Sequence, residues 1–207
     1  MKEDPRHRNE LCERSSVGAY LKDYAVKLKA ALDSIDCDAL DEAYRLIGAT
    51  AAAGKRIYAI GNGGSAAIAD HLCCDWVKGT HCEGHPIVDS VSLSSNIALY
   101  SAIANDYGFE KVFSTQIGFL GRKDDLLLAI SSSGNSPNII SAVEAAHAVG
   151  MHSIGLSGFS GGRLKEIANV SLHVPTNNYG IVEDVHQSLI HVLAQFIASH
   201  RDQGATK

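Results

Sequence analysis

The sequence predicts an α/β fold of three layers, a doubly wound five-stranded parallel sheet flanked by helices, on three observations. Short apolar runs such as Ile57-Tyr58-Ala59-Ile60 and Leu126-Leu127-Leu128-Ala129-Ile130 lack the alternation of a half-exposed strand and read as strands buried on both faces. Each run hands over to a segment of helical periodicity, and repeated strand-helix units build a parallel sheet covered on both sides. At two of those handovers stand serine-glycine loops, Gly61-Asn62-Gly63-Gly64-Ser65 and Ser131-Ser132-Ser133-Gly134-Asn135-Ser136. They fall at the carboxyl ends of strands, where open parallel sheets take their ligands.

Taken in order, the first dozen or so residues are charged and aperiodic, so 1–16 reads as a flexible arm. Val17, Tyr20, Leu21, Tyr24, Leu28 and Leu32 recur at helical spacing, and a second helix spans about 38–53, closed by Gly54. A strand follows over 55–60, a helix from Ser65, a strand over 87–93 and a helix from Ser95. The next strand covers 126–130, with a helix over 137–149 that has Pro137 in its first turn. A strand over 152–156, a short helix over 163–168, a strand over 170–174 and a long helix over 181–199 complete the pattern. No linker, repeat or low-complexity stretch divides it, so 17–200 is one domain with a helical pair before the first strand, and 201–207 is a flexible tail.

With 207 residues and 45% hydrophobic content, the chain is long enough to bury a real core. A net charge of −5 gives no basic excess to follow nucleic-acid phosphates, so no nucleic-acid partner is expected. No apolar run is long enough to span a membrane, and Met1 to Glu10 is too polar for a signal peptide, so a cytoplasmic location is expected. The five cysteines, Cys12, Cys37, Cys73, Cys74 and Cys82, are odd in number and lack zinc-type spacing, which favours reduced thiols.

As chemistry, both loops read as anion cradles. Asn62, Gly63, Gly64 and Ser65, and later Ser131, Ser132, Ser133 and Ser136, bring amides and hydroxyls to helix N-termini, where a phosphate monoester fits. A dinucleotide fingerprint fails because Ala66 stands where glycine is required, and no Lys-Ser/Thr pair completes a P-loop. The competing reading of each loop is a polar turn that caps its own helix.

These two loops, with Ala104-Asn105-Asp106-Tyr107-Gly108 between them and Val182-Glu183-Asp184-Val185-His186 near the end, resemble the sugar-isomerase (SIS) family, and within it the sedoheptulose-7-phosphate (phosphoheptose) isomerases. The likeness runs from about Val17 to Phe196. It implies a flavodoxin-like SIS fold, a homotetramer whose sites are shared between subunits, and a phosphosugar substrate. The implied reaction converts sedoheptulose 7-phosphate to D-glycero-D-manno-heptose 7-phosphate through an enediolate, by acid-base proton transfer. It also implies that Asn105 and Asp106 contact sugar hydroxyls.

The side chains for such proton transfer are His71 and Asp75, an i,i+4 pair, and Glu183 and His191, which share one broad helix face. By resemblance, Asp75 and His191 are the acid-base pair. The likeness is imperfect, because Asp75 stands where the family has glutamate and Glu183 where it has glutamine. His71, Asp75, Glu183 and His191 also form a ligand set suited to Zn²⁺, against the alternative that His71 and Glu183 only hydrogen-bond within the site. Two other functions stay open: isomerisation of a different ketose phosphate, and a non-catalytic phosphosugar-binding or regulatory role. His147, His152, His173 and His186 are expected to be structural or solvated. Asp184 is either a partner that orients a histidine or a helix-start carboxylate.

Overall fold

Helical order begins at a cap: the Ser16 hydroxyl accepts a hydrogen bond from the Ala19 N–H and opens α1 (Val17–Asp33). The computed structural model describes residues 16–202, so most of the expected arm, with Cys12, and the tail from 203 onward lie outside the described residues. Asp36 caps α2 (Cys37–Ala52) by accepting from the Asp38 and Ala39 N–H groups. The chain then alternates through β1 (Ile57–Ile60), α3 (Gly64–Cys74), β2 (Ser90–Ser92), α4 (Ile97–Tyr107), α5 (Ser114–Leu120), β3 (Leu126–Ser131), α6 (Pro137–Ala148), β4 (His152–Ser157), α7 (Gly162–Ile167), β5 (Val170–His173) and α8 (Tyr179–Asp202).

All five strands are parallel, in the order β2-β1-β3-β4-β5. Ile57, Ala59, Leu126, Leu128 and Ile130 face one core with α1, α2, α3 and α8. Tyr58, Ile60, Leu127 and Ala129 face the other, with α4, α5, α6 and α7. Every residue of β1 and β3 is buried, which accounts for their unbroken apolar runs.

Besides a second strand shortened from the expected 87–93 to Ser90–Ser92, three details depart from the sequence reading. Helix α5 was not anticipated, because its pattern is interrupted by Gln116, a buried amide that donates to the Leu93 and Val112 carbonyls. Downstream of α3 the helix widens into a π-helical turn, Asp75–Gly79, for which the sequence carries no signal. Finally, α8 continues past the expected end: the Arg201 guanidinium donates to the Thr80 carbonyl at 2.6 Å and to the Pro86 carbonyl at 2.8 Å. Arg201 therefore belongs to the packed domain rather than to a tail.

Candidate active site

Sheet order decides what meets at the carboxyl edge. β1 pairs with β3, with Ile60 opposite Ala129, while β2 lies on the other side of β1. The loops after β1 and β3 therefore face each other across the crevice where the strand order reverses. A reciprocal amide pair joins them. Asn62 Nδ2 donates to Asn138 Oδ1 at 2.9 Å, and Asn138 Nδ2 donates to Asn62 Oδ1 at 2.8 Å. Asn138 is buried in the first turn of α6.

Between the loops lies a cavity of about 130 Å³, lined by Asn62, Ser65, Ile130, Ser131, Ser132, Ser133, Ser136, Tyr179 and Glu183. Gly63 and Gly64, which do not line it, lie between Asn62 and Ser65 as the N-cap and first residue of α3, with Gly63 at a φ of 54° that side chains rarely adopt. Helices α1, α2 and α4 are capped by the side chains of Ser16, Asp36 and Asn96, but neither Gly63 nor Ser136 caps its own helix. Both helix starts thus lie beside the cavity without a side-chain cap, although the Ser65, Ala66, Ile139 and Ile140 N–H groups bond to main-chain carbonyls. The Ser132 hydroxyl is buried and has no hydrogen-bond partner among the described residues. This geometry favours the anion cradle over the self-capping turn.

Glu183 reaches this cavity from α8. Its carboxyl group lies so close to Gly64 that a Cβ there would collide with it, so glycine is what lets the acid approach the start of α3. Burial, with the charge of Asp184 added, raises the Glu183 pKa above the usual carboxylate range.

A second locus lies further along the same two helices. His71 Nε2 is 2.9 Å from His191 Nε2 and 3.2 Å from Asp75 Oδ2, and His191 Nε2 is 3.5 Å from Asp75 Oδ2. Four tetrahedral ligands at about 2.0–2.1 Å from a zinc ion stand about 3.3 Å from one another, so the three separations fit such a centre. His71, Asp75 and His191 form the cluster of metal-binding type among the described residues. Glu183, expected with them, is not part of it. It shares a face of α8 with His191, but eight residues of helix place it about 12 Å lower along the axis.

Asn105 and Asp106 are not brought to this edge of the cavity either. They are exposed at the end of α4, where Asn105 Nδ2 donates to Asp106 Oδ1 at 2.8 Å. Asp184 accepts a 2.6 Å hydrogen bond from the Tyr24 hydroxyl and so ties α8 to α1 instead of orienting a histidine. Three contributors went unread in the sequence: Asn138, Tyr179, and Gln187, whose Nε2 is 2.9 Å from His191 Nε2. The Asn138 signal was present in the Pro137-Asn138 start of a helix; Gln187 had none beyond its place one turn before His191.

Comparison with known proteins gives consistent matches. The SIS domain family matches residues 19–158. The phosphoheptose isomerase of Helicobacter pylori is 36% identical over 173 residues, covering 84% of this chain and 89% of that protein. Among solved structures, the phosphoheptose isomerase of Neisseria gonorrhoeae superposes with a TM-score of 0.80 at 35% identity, over 88% of this chain and 97% of the other. A phosphoheptose isomerase from Francisella tularensis gives 0.81 at 31% identity, over 88% and 96%.

Proposed function

This chain belongs to the phosphoheptose isomerases of the SIS-domain family, and on that footing we propose that it converts sedoheptulose 7-phosphate to D-glycero-D-manno-heptose 7-phosphate by proton transfer through an enediolate. The observation that carries the reading is one pair of helices with an uncapped anion cradle at one end and a carboxylate-imidazole cluster further along.

The phosphate is held by the Ser131, Ser132, Ser133, Ser136 and Ser65 hydroxyls, the Asn62 amide and the N–H groups around Gly63 and Gly64. No lysine or arginine lines the cavity, so the holding is done by dipoles and hydroxyls. Glu183 is placed to bind a sugar hydroxyl beside the phosphate. From Gly64 to His71 the helix advances about 10 Å. An extended sugar covers about 9 Å from its second carbon to a phosphorus on its seventh, whereas a pentulose phosphate falls short by about 2.5 Å. That length favours a seven-carbon substrate over shorter ketose phosphates.

In the reaction, Asp75 takes a proton from C1 while His191 delivers one to the C2 oxygen, which forms the enediol. His191 then removes the proton from the C1 oxygen and Asp75 returns its own to C2, so that the aldose forms with no net gain or loss of atoms. Asp75 turns Oδ2 to both imidazoles, which leaves its other oxygen for the sugar. His71, Asp75 and His191 suit Zn²⁺, which when bound there would polarise the carbonyl and stabilise negative charge on oxygen in place of the proton that a metal-free His191 Nε2 donates.

The reading includes a cytoplasmic homotetramer in which Asn105 and Asp106 serve a neighbouring copy's sugar. Exposed apolar side chains support self-association: Val17, Leu21 and Val26 on α1, and Ile97, Tyr107 and Phe109 around α4. Among the described residues, no helix is long and apolar enough to cross a membrane. The test is product identification from sedoheptulose 7-phosphate beside a hexulose and a pentulose phosphate. Asp75→Asn and His191→Ala are each expected to lower turnover by about 10²–10⁴-fold with the fold retained. Turnover of only the shorter sugars would reject the substrate, and near-normal rates in both variants would reject the acid-base pair.

A further inference from the structure

The turn after β4 reaches the same carboxyl edge as the serine loops and is bonded to a neighbour on each side. Toward the second serine loop, the Gly158 N–H donates to the Ser132 carbonyl at 2.8 Å, the Leu164 N–H to the Gly134 carbonyl at 2.9 Å and the Arg163 N–H to Asn135 Oδ1 at 2.9 Å. Toward the entry to α8, the Phe159 N–H donates to the Thr176 carbonyl at 3.0 Å, and His173 Nε2 lies 3.1 Å from the Phe159 carbonyl oxygen.

Phe159, in the middle of this turn, has a φ of 51°. That conformation costs a bulky residue free energy, and it persists only where the surroundings hold it. In it, the Phe159 ring lies 4.7 Å from the ring of Tyr179, with the planes inclined at 60°. Tyr179 opens α8, whose start is fixed by Asn178 Oδ1 accepting from the Ile181 N–H at 3.1 Å. Glu183 follows one turn later, and both side chains line the phosphate cavity, Tyr179 as its one aromatic residue. With no cation in that lining, the hold on a phosphate rests on dipoles, which act more strongly where water is kept out.

We propose that Tyr179 contacts the phosphate end of the substrate by closing the cavity on its α8 side, and that Phe159 is the positioning residue that holds the Tyr179 ring there. This rests on the sugar-phosphate reading above. It gives the left-handed Phe159 a purpose: main-chain bonds fix the turn against the serine loop, and the ring carries that fixed position across to α8. A Tyr179 ring held in place before the ligand arrives has less freedom to lose on binding. Both side chains are half-buried, so removing either leaves the core intact.

The experiment measures inorganic phosphate binding to the full-length protein by titration calorimetry, beside steady-state kinetics with sedoheptulose 7-phosphate. Tyr179→Ala is expected to weaken phosphate binding by about tenfold, and Tyr179→Phe, which keeps the ring, by less than about threefold. Phe159→Asn keeps the main-chain bonds and suits a positive φ while removing the ring. It is expected to weaken phosphate binding by about threefold to tenfold, the worth of one aromatic pair, with the kinetic loss falling on KM rather than kcat. Phe159→Tyr should recover the parental affinity. In the Tyr179→Ala background, Phe159→Asn should add less than about twofold, because the ring through which it acts is already gone. Parental phosphate affinity in Tyr179→Ala, or losses that multiply in full in the double variant, would each overturn the assignment. A parent protein that binds no phosphate would overturn it too. The expected pattern in a parent that leaves sedoheptulose 7-phosphate unchanged would uphold the assignment and reject the isomerase reading.

Discussion

His186 is fully buried in α8 near Ser157 and His173, and neither of its ring nitrogens makes a hydrogen bond of good geometry among the described residues. Burial, opposed in part by the Ser157 main chain and reinforced by His173, pushes its pKa down from 6.5 to about 4. Acid is therefore the perturbation. In the unfolded chain the imidazole takes up its proton near pH 6.5, but in the folded chain only near 4, so between those values unfolding gains a proton and acid favours it. Stability should be level above about pH 6.5 and fall below it by up to about 1.4 kcal/mol per pH unit, a loss of roughly 3 kcal/mol by pH 4. His173, whose pKa is also lowered by burial, adds in the same direction. His186→Leu removes the larger share, and because the only polar neighbour it gives up is the Ser157 main chain, which lies outside good hydrogen-bond geometry, it should cost about 1 kcal/mol or less at neutral pH. Urea unfolding at fixed protein concentration from pH 7.5 to 4 reads the difference directly. If parent and variant lose stability in parallel over that window, the argument from burial is wrong.

Other perturbations probe the cradle and its surroundings. Gly64→Ala should push the Glu183 carboxyl group off the start of α3 and raise KM for the sugar phosphate severalfold, with zinc affinity unchanged; steady-state kinetics beside chelator titration check this. Asn138→Ala breaks the reciprocal amide pair and leaves Asn62 unpaired, which should cost about 1–3 kcal/mol in urea unfolding and loosen inorganic phosphate binding. The Cys73 thiol, pushed up to about 12 by burial, should react with a thiol reagent at pH 8 far more slowly than exposed Cys74 and Cys37, as peptide mapping after timed labelling would show.

Those predictions draw unequally on what the sequence disclosed. β1 and β3 were legible because burial on both faces leaves no alternation to blur the apolar run, and α6 because Pro137 marks its first turn. The serine loops were legible as candidate anion sites because two of them stand where a buried strand hands over to a helix. That the two loops meet was not legible, since the pairing of β1 with β3, with β2 set on the far side of β1, is a fact of topology. Helix α5 was hidden by buried Gln116, and Gln187 by being a glutamine on a helix where such residues are ordinarily solvated.

Glu183 shows that helical phase is one coordinate of a site and height along the axis another. Phase says which face a residue occupies, and Glu183 and His191 do share one, but a metal also demands a common height. Helices α3 and α8 run parallel, and their contacts keep a nearly constant offset: Gly64 against Glu183, His71 against His191, and Thr80, just beyond the π-helical turn, against Arg201. In such a ladder each residue meets the partner at its own level, with Glu183 beside Gly64 and His191 beside His71. On the proposed reading one rung serves the phosphate end of the substrate and the other its carbonyl end. The spacing between the rungs, fixed by helix rise, becomes a ruler for the length of the sugar that can bridge them.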